Sequence, residues 1–365
     1  MNILVDALLY QSQSAGIGRY IDKLFSAYTG LFPDDRVTAL VPPGQILPGA
    51  INLVPIEDLK SSKQRLLYEQ WRLGSWAKTQ TYDIIHFGDY QMPILGALPR
   101  AIVTVHDLAA FRLPELFPRG SGLTKRFLMR RSVAHASRVI VPSLATAHDL
   151  QDILHVPESK ISVVLHGVTP LEREAGPTLY ERPYFLAVGT IEPRKNFERL
   201  IEAFARVFAN ILDGPDLLIA GKPGWLYRNA MEAPSRLGVR ERVRFLGYVE
   251  DKSLKALYRD CMAVTYPSLY EGFGFPVAEA LWLGKPVLCS RGGALEEVAG
   301  NDALIVDPLN VSSIASGLEE LWKNLGVWQV RALAGVTRVH QLTWTKAAQS
   351  TRDVYLRTVG DSRQT

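Results

Sequence analysis

Ala263-Val264-Thr265-Tyr266-Pro267-Ser268-Leu269-Tyr270-Glu271-Gly272-Phe273-Gly274-Phe275-Pro276-Val277-Ala278-Glu279-Ala280 is the stretch on which the fold turns. Its opening run, Ala263–Tyr266, is apolar and β-branched and reads as a strand. Gly272 and Gly274 then let the backbone approach a ligand closely, and Pro276 suits the first turn of a helix. Strand, glycine loop and helix in that order make the building unit of a parallel α/β sheet. The amides at such a helix start favour an anion. Glu271 and Glu279 bracket that position without neutralising it, and carboxylates there suit the hydroxyls of a ribose or hexose as donors.

The same rhythm runs outward in both directions. In the first half, strands are expected at Asn2–Leu9, Val37–Val41, Asp83–Phe87, Ala101–Val105, Arg138–Val141 and Ile161–Leu165, with helices such as Ile17–Tyr28, Ser62–Lys78 and Gly122–Ala136 between them. The second half restarts it with Tyr184–Val188, Asp216–Ala220, Val243–Leu246, Ala263–Tyr266, Pro286–Cys289 and Ala303–Val306. Between the halves, Thr169–Pro183 is rich in proline and charge and reads as a linker. The expected fold class is α/β, with two Rossmann-like, doubly wound domains facing across a cleft. Residues 1–170 form the first domain, 171–182 the linker and 183–344 the second domain. In such sheets ligands sit outside the carboxyl ends of the strands, so chemistry-bearing residues belong immediately after strands.

Composition sets outer limits. The 365 residues are 47% hydrophobic and 21% charged, the balance of an ordinary globular protein of about two domains. A net charge of +4, evenly spread, does not mark a nucleic-acid binder. Two cysteines, Cys261 and Cys289, form no CxxC pair, which argues against a zinc ribbon or a disulfide framework. They read as small buried hydrophobes in a reducing compartment. The start of the chain has no charged segment followed by a long apolar one, and no run of about 18 apolar residues occurs, so a cytoplasmic protein is expected. One local departure is 111–138, where Arg112, Arg119, Lys125, Arg126, Arg130, Arg131 and Arg138 face a single acid, Glu115. This reads either as a solvated helix face or as a surface that draws anions, including an anionic membrane.

Three further motifs follow expected strands. Gly16-Ile17-Gly18-Arg19 supplies a tight turn into a helix, but Ile21 stands where the dinucleotide fingerprint needs glycine, which disfavours a nicotinamide dehydrogenase. His106-Asp107 ends an apolar strand and reads equally as a site histidine or as a helix cap. His86 is a weaker candidate of the same kind, and His166 reads as structural. In Gly189-Thr190-Ile191-Glu192-Pro193-Arg194-Lys195-Asn196, Pro193 suits a helix start that would place Arg194 and Lys195 in the first turn. Cations there oppose the helix dipole, and a bound polyanion would offset that cost. Both are expected at the surface of the cleft.

Together, Gly16-Ile17-Gly18-Arg19, His106-Asp107, Arg194-Lys195-Asn196 and Glu271-x7-Glu279 resemble the retaining, nucleotide-sugar-dependent glycosyltransferases of the GT-B fold (glycosyl transferases group 1). Gly221-Lys222-Pro223-Gly224-Trp225, Phe245-Leu246-Gly247-Tyr248 and Ala294-Leu295-Glu296-Glu297-Val298-Ala299-Gly300 fit as well, in the expected order. Within that group the chain closely resembles bacterial mannosyltransferases of polysaccharide and O-antigen assembly. The resemblance implies an acceptor-side first domain, completed by a last helix at about 345–365, and a second domain that binds the nucleotide sugar. It implies that Arg194 and Lys195 hold the donor diphosphate, that the amides of Phe273 and Gly274 reach phosphate or sugar, and that Gly272 lets the loop close on it. Glu271 would accept from sugar hydroxyls and Glu279 from the ribose. His106 would sit beside the transferred sugar, with Gly16 and Gly18 near the diphosphate and acceptor. It also implies front-face attack with retained configuration, a donor such as GDP-mannose, and a glycan or lipid-linked glycan acceptor.

No Asp-x-Asp occurs in the chain, and Arg194 and Lys195 with a helix start can stabilise the leaving charge, so metal-independent transfer without a cofactor is expected. Two other readings stay open. A sugar-nucleotide epimerase of similar architecture would release altered donor without an acceptor, and a non-catalytic sugar-nucleotide sensor would bind and turn nothing over.

Overall fold

The computed structural model describes residues 1–10, 16–49, 52–56, 61–93, 98–118, 120–169 and 179–361. Most of the expected linker, along with Arg119, lies outside them. The chain divides into two units: Met1–Phe111 with Arg119–Gly167 and Leu342–Thr365, and Arg112–Pro118 with Val168–Gln341. The short segment Arg112–Pro118 therefore joins the second unit, not the first as the sequence suggests. Its anchor is Trp225, whose Nε1–H donates to Leu116 O at 2.8 Å and whose indole stacks on Phe117.

The first unit holds seven parallel strands: β1 (Asn2–Asp6), β2 (Arg36–Val41), β3 (Asn52–Pro55), β4 (Ile84–Phe87), β5 (Ala101–Thr104), β6 (Arg138–Val141) and β7 (Ile161–Val163). They lie in the order β3-β2-β1-β4-β5-β6-β7, so the winding reverses between β1 and β4. The second unit holds β8 (Tyr184–Val188), β9 (Asp216–Ala220), β10 (Val243–Gly247), β11 (Ala263–Tyr266), β12 (Val287–Ser290) and β13 (Leu304–Val306). Their order, β10-β9-β8-β11-β12-β13, reverses between β8 and β11. Every pairing in both sheets is parallel. Strands buried on both faces explain the continuous apolar runs. In the second unit, Phe185, Phe197, Phe204 and Phe208 fill the space between sheet and helices.

The differences from the sequence reading have local causes. The first strand stops at Asp6 because its Oδ1 accepts the Leu8 N–H at 3.0 Å and turns the chain. Edge strand β3 was not expected, since Asn52-Leu53-Val54-Pro55 has little alternation and ends in proline. The expected helix Ser62–Lys78 is two helical segments, Ser62–Leu67 and Leu73–Lys78, joined by a π-helical turn at Tyr68–Arg72.

The last helix, Trp344–Asp361, packs on Ile17–Leu31 and completes the first unit. Buried Tyr355 hydrogen-bonds His86 Nδ1 at 2.6 Å, and Arg352 donates to Asp35 at 3.0 Å. Where the chain crosses Gly167, a Cβ would lie 2.2 Å from the Trp344 nitrogen, so only glycine fits. Gly167→Ala is therefore expected to cost at least about 2 kcal/mol. Gly30→Ala, in a helix with nothing within 4 Å of the new methyl, should gain about 0.5 kcal/mol. Urea unfolding of the two variants checks this, and equal effects would contradict it.

Candidate functional site

Both glycine-rich motifs of the second unit follow the strands between which the winding reverses. After β8, Gly189 takes a φ of 150° and the Lys195 stem lies over it, with Cε 3.3 Å from where a Cβ would be. Pro193–Lys195 then forms one 3-10 turn, and Asn196 adopts the left-handed conformation (φ 62°) before the helix Phe197–Phe208 begins. Arg194 and Lys195 thus precede the helix and are not in its first turn, so the expected clash with its dipole does not arise. Asn196 locks this bend: its Nδ2 donates to Pro267 O at 2.9 Å and Pro308 O at 2.7 Å.

After β11, the loop folds back on that turn. Leu269 N–H donates to Arg194 O at 2.8 Å, and Ser290 Oγ holds Ser268 O at 2.6 Å. Glu271 is the meeting point. Its Oε1 accepts from Lys195 Nζ at 2.6 Å, Ser268 Oγ at 2.6 Å and Tyr266 Oη at 2.9 Å, and its Oε2 accepts from Arg194 Nη1 at 2.7 Å. Lys195 Nζ also donates to Tyr266 Oη at 2.5 Å, and Arg194 reaches Glu192 Oε1 and Tyr270 O. Lys195 is only 9% exposed. The expectation that both cations stand at a surface is corrected for Lys195, which Glu271 draws inside; Arg194 is half-buried.

Electrostatics follow from that enclosure. Burial works against the Glu271 charge, but Arg194 and Lys195 outweigh it and bring its pKa from 4.5 down to about 2. Burial lowers Lys195, opposed by Glu271, and raises Glu192, opposed by Arg194 and Lys195.

The glycine loop closes with Gly274 at φ 97°, where a Cβ would meet Leu295 Cδ2 at 2.4 Å. Gly274 precedes the helix Phe275–Trp282, in which Pro276 is the second residue and not the first. Gly272 and Phe273 are buried, and Phe273 packs edge-on against Phe275. Glu279, one turn into this helix, is buried and accepts from Tyr258 Oη at 2.8 Å. A cavity of about 600 Å³ opens beside the Glu192–Asn196 turn, lined among others by Glu192, Pro193, Asn196, Tyr227, Arg228 and Leu269. That is a small-ligand volume, although the Arg194 and Lys195 side chains do not line it.

The remaining candidates lie in the first unit, after β1 and β5. Gly16 takes a φ of 68° at the start of the helix Ile17–Leu31, and Gly18 is buried in its first turn. His106 donates from Nε2 to Gly88 O at 2.9 Å, packs edge-on against Tyr20 and lies 3.4 Å from His166 Nε2 through Nδ1. Asp107 caps the next short helix, its Oδ1 accepting Ala109 N–H at 2.9 Å. His86, between Tyr355 and Thr104, is structural, and burial pushes its pKa down to about 3. Among the described residues, no three His, Cys, Asp or Glu side chains converge to hold a metal ion. Sequence reasoning missed Glu192 and Tyr266 as partners of the cations and Ser268 as a partner of Glu271. Their spacing, two before Arg194 and five and three before Glu271, is the signal that could have found them.

Because Glu271 is held ionised in the fold, its contribution to stability is complete above about pH 5 and is lost as pH falls toward 2. Glu271→Gln should cost on the order of 3 kcal/mol at pH 7, and the deficit should shrink steadily toward pH 2. Urea unfolding of wild type and variant across that range tests it; a deficit independent of pH would contradict the assignment.

Comparison with known proteins agrees with this architecture. Residues 169–326 match the family described as Glycosyl transferases group 1, and residues 28–172 match Glycosyltransferase Family 4. The O-antigen chain mannosyltransferase B of Escherichia coli is 28% identical over 310 residues, 80% of this chain and 81% of that one. Sucrose-phosphate synthase from Thermosynechococcus elongatus shares the fold at a TM-score of 0.78, with 19% identity and 99% of each chain covered. The Anabaena protein HepE, solved with UDP and glucose, does so at 0.75, with 18% identity over 96% of this chain and 98% of that one. With both halves matched in order, the chain belongs to the group 1 glycosyltransferases and resembles the O-antigen mannosyltransferases of bacteria.

Proposed function

We propose that this glycosyltransferase moves a hexose, mannose as first choice, from a nucleoside diphosphate sugar such as GDP-mannose to a hydroxyl of a glycan or lipid-linked glycan, with retained configuration. The observation that carries the reading is the pair of cations, half-buried Arg194 and buried Lys195, fixed at the switch point of the second sheet. The 28% likeness to a mannosyltransferase supports the choice of sugar.

In this mechanism the bond from the anomeric carbon to the donor phosphate oxygen breaks, and its electron pair stays on the diphosphate. Arg194 and Lys195 stabilise the charge that develops there, already oriented and largely desolvated. The acceptor oxygen bonds to the anomeric carbon on the face the phosphate leaves, and its proton passes to the departing phosphate oxygen. Glu271 Oε2, with a single donor among the described residues, keeps a lone pair for a sugar hydroxyl, whereas Oε1 is already crowded. Glu279 accepts from the ribose, the amides of Phe273 and Gly274 meet phosphate or sugar, His106 stands beside the transferred sugar, and Gly16 and Gly18 lie near the diphosphate and acceptor. No metal ion or cofactor takes part.

Arg194→Ala and Lys195→Ala should each lower kcat/KM by about 10²–10³-fold, or 2–4 kcal/mol. Glu279→Ala should act mainly on the donor KM. A donor panel followed by mass spectrometry, with and without chelator, tests the reading: near wild-type rates in either cation variant, or chelator-sensitive transfer, would overturn the corresponding assignment. Altered donor released without acceptor would identify an epimerase, and binding without turnover a sensor.

The helix Ser121–His135 gives the enzyme a place of work. It carries Lys125, Arg126, Arg130 and Arg131 and no acid, and it exposes Leu123 and Phe127 by 64% and 56%. Among the described residues no helix is long and apolar enough to cross a membrane. We propose that this face rests on an anionic leaflet on the cytoplasmic side, each nearby cation adding about 1 kcal/mol. Co-sedimentation with anionic liposomes should fade with salt and drop in Arg130→Glu/Arg131→Glu; absence of binding at low salt would sink the idea.

A further inference from the structure

The first unit gathers a second set of buried polar side chains that the transfer step above does not use. The winding of its sheet reverses between β1 and β4, so the carboxyl ends of those strands form its switch point. Asp6 ends β1, Asp89 follows β4, and Glu69 enters from the π-helical turn Tyr68–Arg72. With Leu9, Ile21 and Gln91 these three acids wall one recess of about 10 Å³, room for a single water-sized group. Glu69 is 1% exposed, and Asp6 and Asp89 are each 7% exposed.

Each acid has a local partner. Asp6 Oδ1 accepts from Leu8 N, Asp89 Oδ2 from Gln91 Nε2 at 3.3 Å, and Glu69 Oε1 from Arg65 Nη1 at 3.2 Å. Glu69 Oε2 is fully buried and has no partner among the described residues. An orphaned oxygen of this kind costs about 1–3 kcal/mol, and π-helical turns recur at functional sites. The group that would satisfy it is small and polar.

The chemistry of the walls narrows its identity. Burial raises all three acids, Asp6 to about 6 and Glu69 and Asp89 also upward, against one neighbouring guanidinium, Arg65. Burial thus works against charge on all three walls, whose oxygens stand as hydrogen-bonding groups. A hydroxyl both gives and takes a hydrogen bond, which suits a recess walled by three carboxyls and the Gln91 amide. The recess also adjoins a residue proposed to stand beside the transferred sugar: His106 donates to Gly88 O, the residue before Asp89.

We propose that the recess formed by Asp6, Glu69 and Asp89 binds one hydroxyl of the acceptor sugar, which Glu69 Oε2 completes as an acceptor. Holding one hydroxyl there fixes which of its neighbours on the ring is presented for transfer, so these acids set acceptor specificity. The inference rests on the acceptor being a glycan, as proposed above.

The test titrates the full chain with methyl α-D-mannopyranoside, followed by saturation-transfer NMR, alongside thermal melts. Wild type should show saturable binding, and Glu69→Gln and Asp89→Asn should each weaken it at least about tenfold. Glu69→Gln should melt no lower than wild type, because an orphaned buried carboxyl is replaced by a neutral group that still accepts from Arg65; a purely structural Glu69 would lose stability instead. Absence of saturable binding in wild type, or wild-type affinity in both variants, would overturn the proposal. GDP-mannose titrated into wild type separates the two readings: a glycoside site sensitive to the variants in a protein that binds no nucleotide sugar defeats the donor assignment and leaves the recess standing.

Discussion

One buried carboxylate holds the second unit's site together. Removing Glu271 from water is costly, and that cost is offset only because Arg194 and Lys195 arrive from a different loop and meet it on two sides. The loop after β8 and the loop after β11 are thereby tied to one geometry, to which Ser268, Tyr266 and Asn196 conform. The cations in turn are ordered before any ligand arrives. Two long side chains that would otherwise sample many rotamers are fixed at the strand ends, which is the form of preorganisation that favours charge developing in a transition state.

Much of this architecture was legible in the sequence because parallel strands buried on both faces leave an unmistakable mark. Runs such as Phe185-Leu186-Ala187-Val188 and Leu217-Leu218-Ile219-Ala220 are continuous, and the residues that end them are glycines or charges. The Arg194-Lys195 and Glu271 motifs could be placed after strands for the same reason. What escaped was set by tertiary contact. Nothing local in Pro193-Arg194-Lys195 says that the turn is 3-10, or that a carboxylate 76 residues on will draw Lys195 inside. Asp107, read as site or cap, caps a helix because Ala109 N–H lies within reach. Asn52–Pro55 becomes a strand only because Thr38–Val41 offers an edge.

The two units apply one topological rule to opposite chemistry. Each reverses its winding once, and each collects polar side chains where it does. In the second unit the collection is led by cations around one ionised acid; in the first it is three acids with a single guanidinium nearby. Asp6, Glu69 and Asp89 are far apart along the chain, and none lies in a recognisable motif. Only the strand order 1-4 at the centre of the sheet makes them neighbours, so no reading of periodicity or spacing could assemble them.

The helix Trp344–Asp361, packed on Ile17–Leu31 and bonded through Tyr355 to His86, bears on how the protein is made. A ribosome delivers the first sheet early, but the helix that covers it emerges only after the whole second unit has been synthesised. During that interval Tyr28 and His86 lack the Tyr355 ring that packs on them in the finished molecule. The second unit, continuous from Val168 to Gln341 apart from Arg112–Pro118, has nearly all its parts in hand before the first is sealed. Completion of the first unit is thus tied to synthesis of the helix Trp344–Asp361, and a chain released before it would expose its unsealed apolar face to chaperones and proteases.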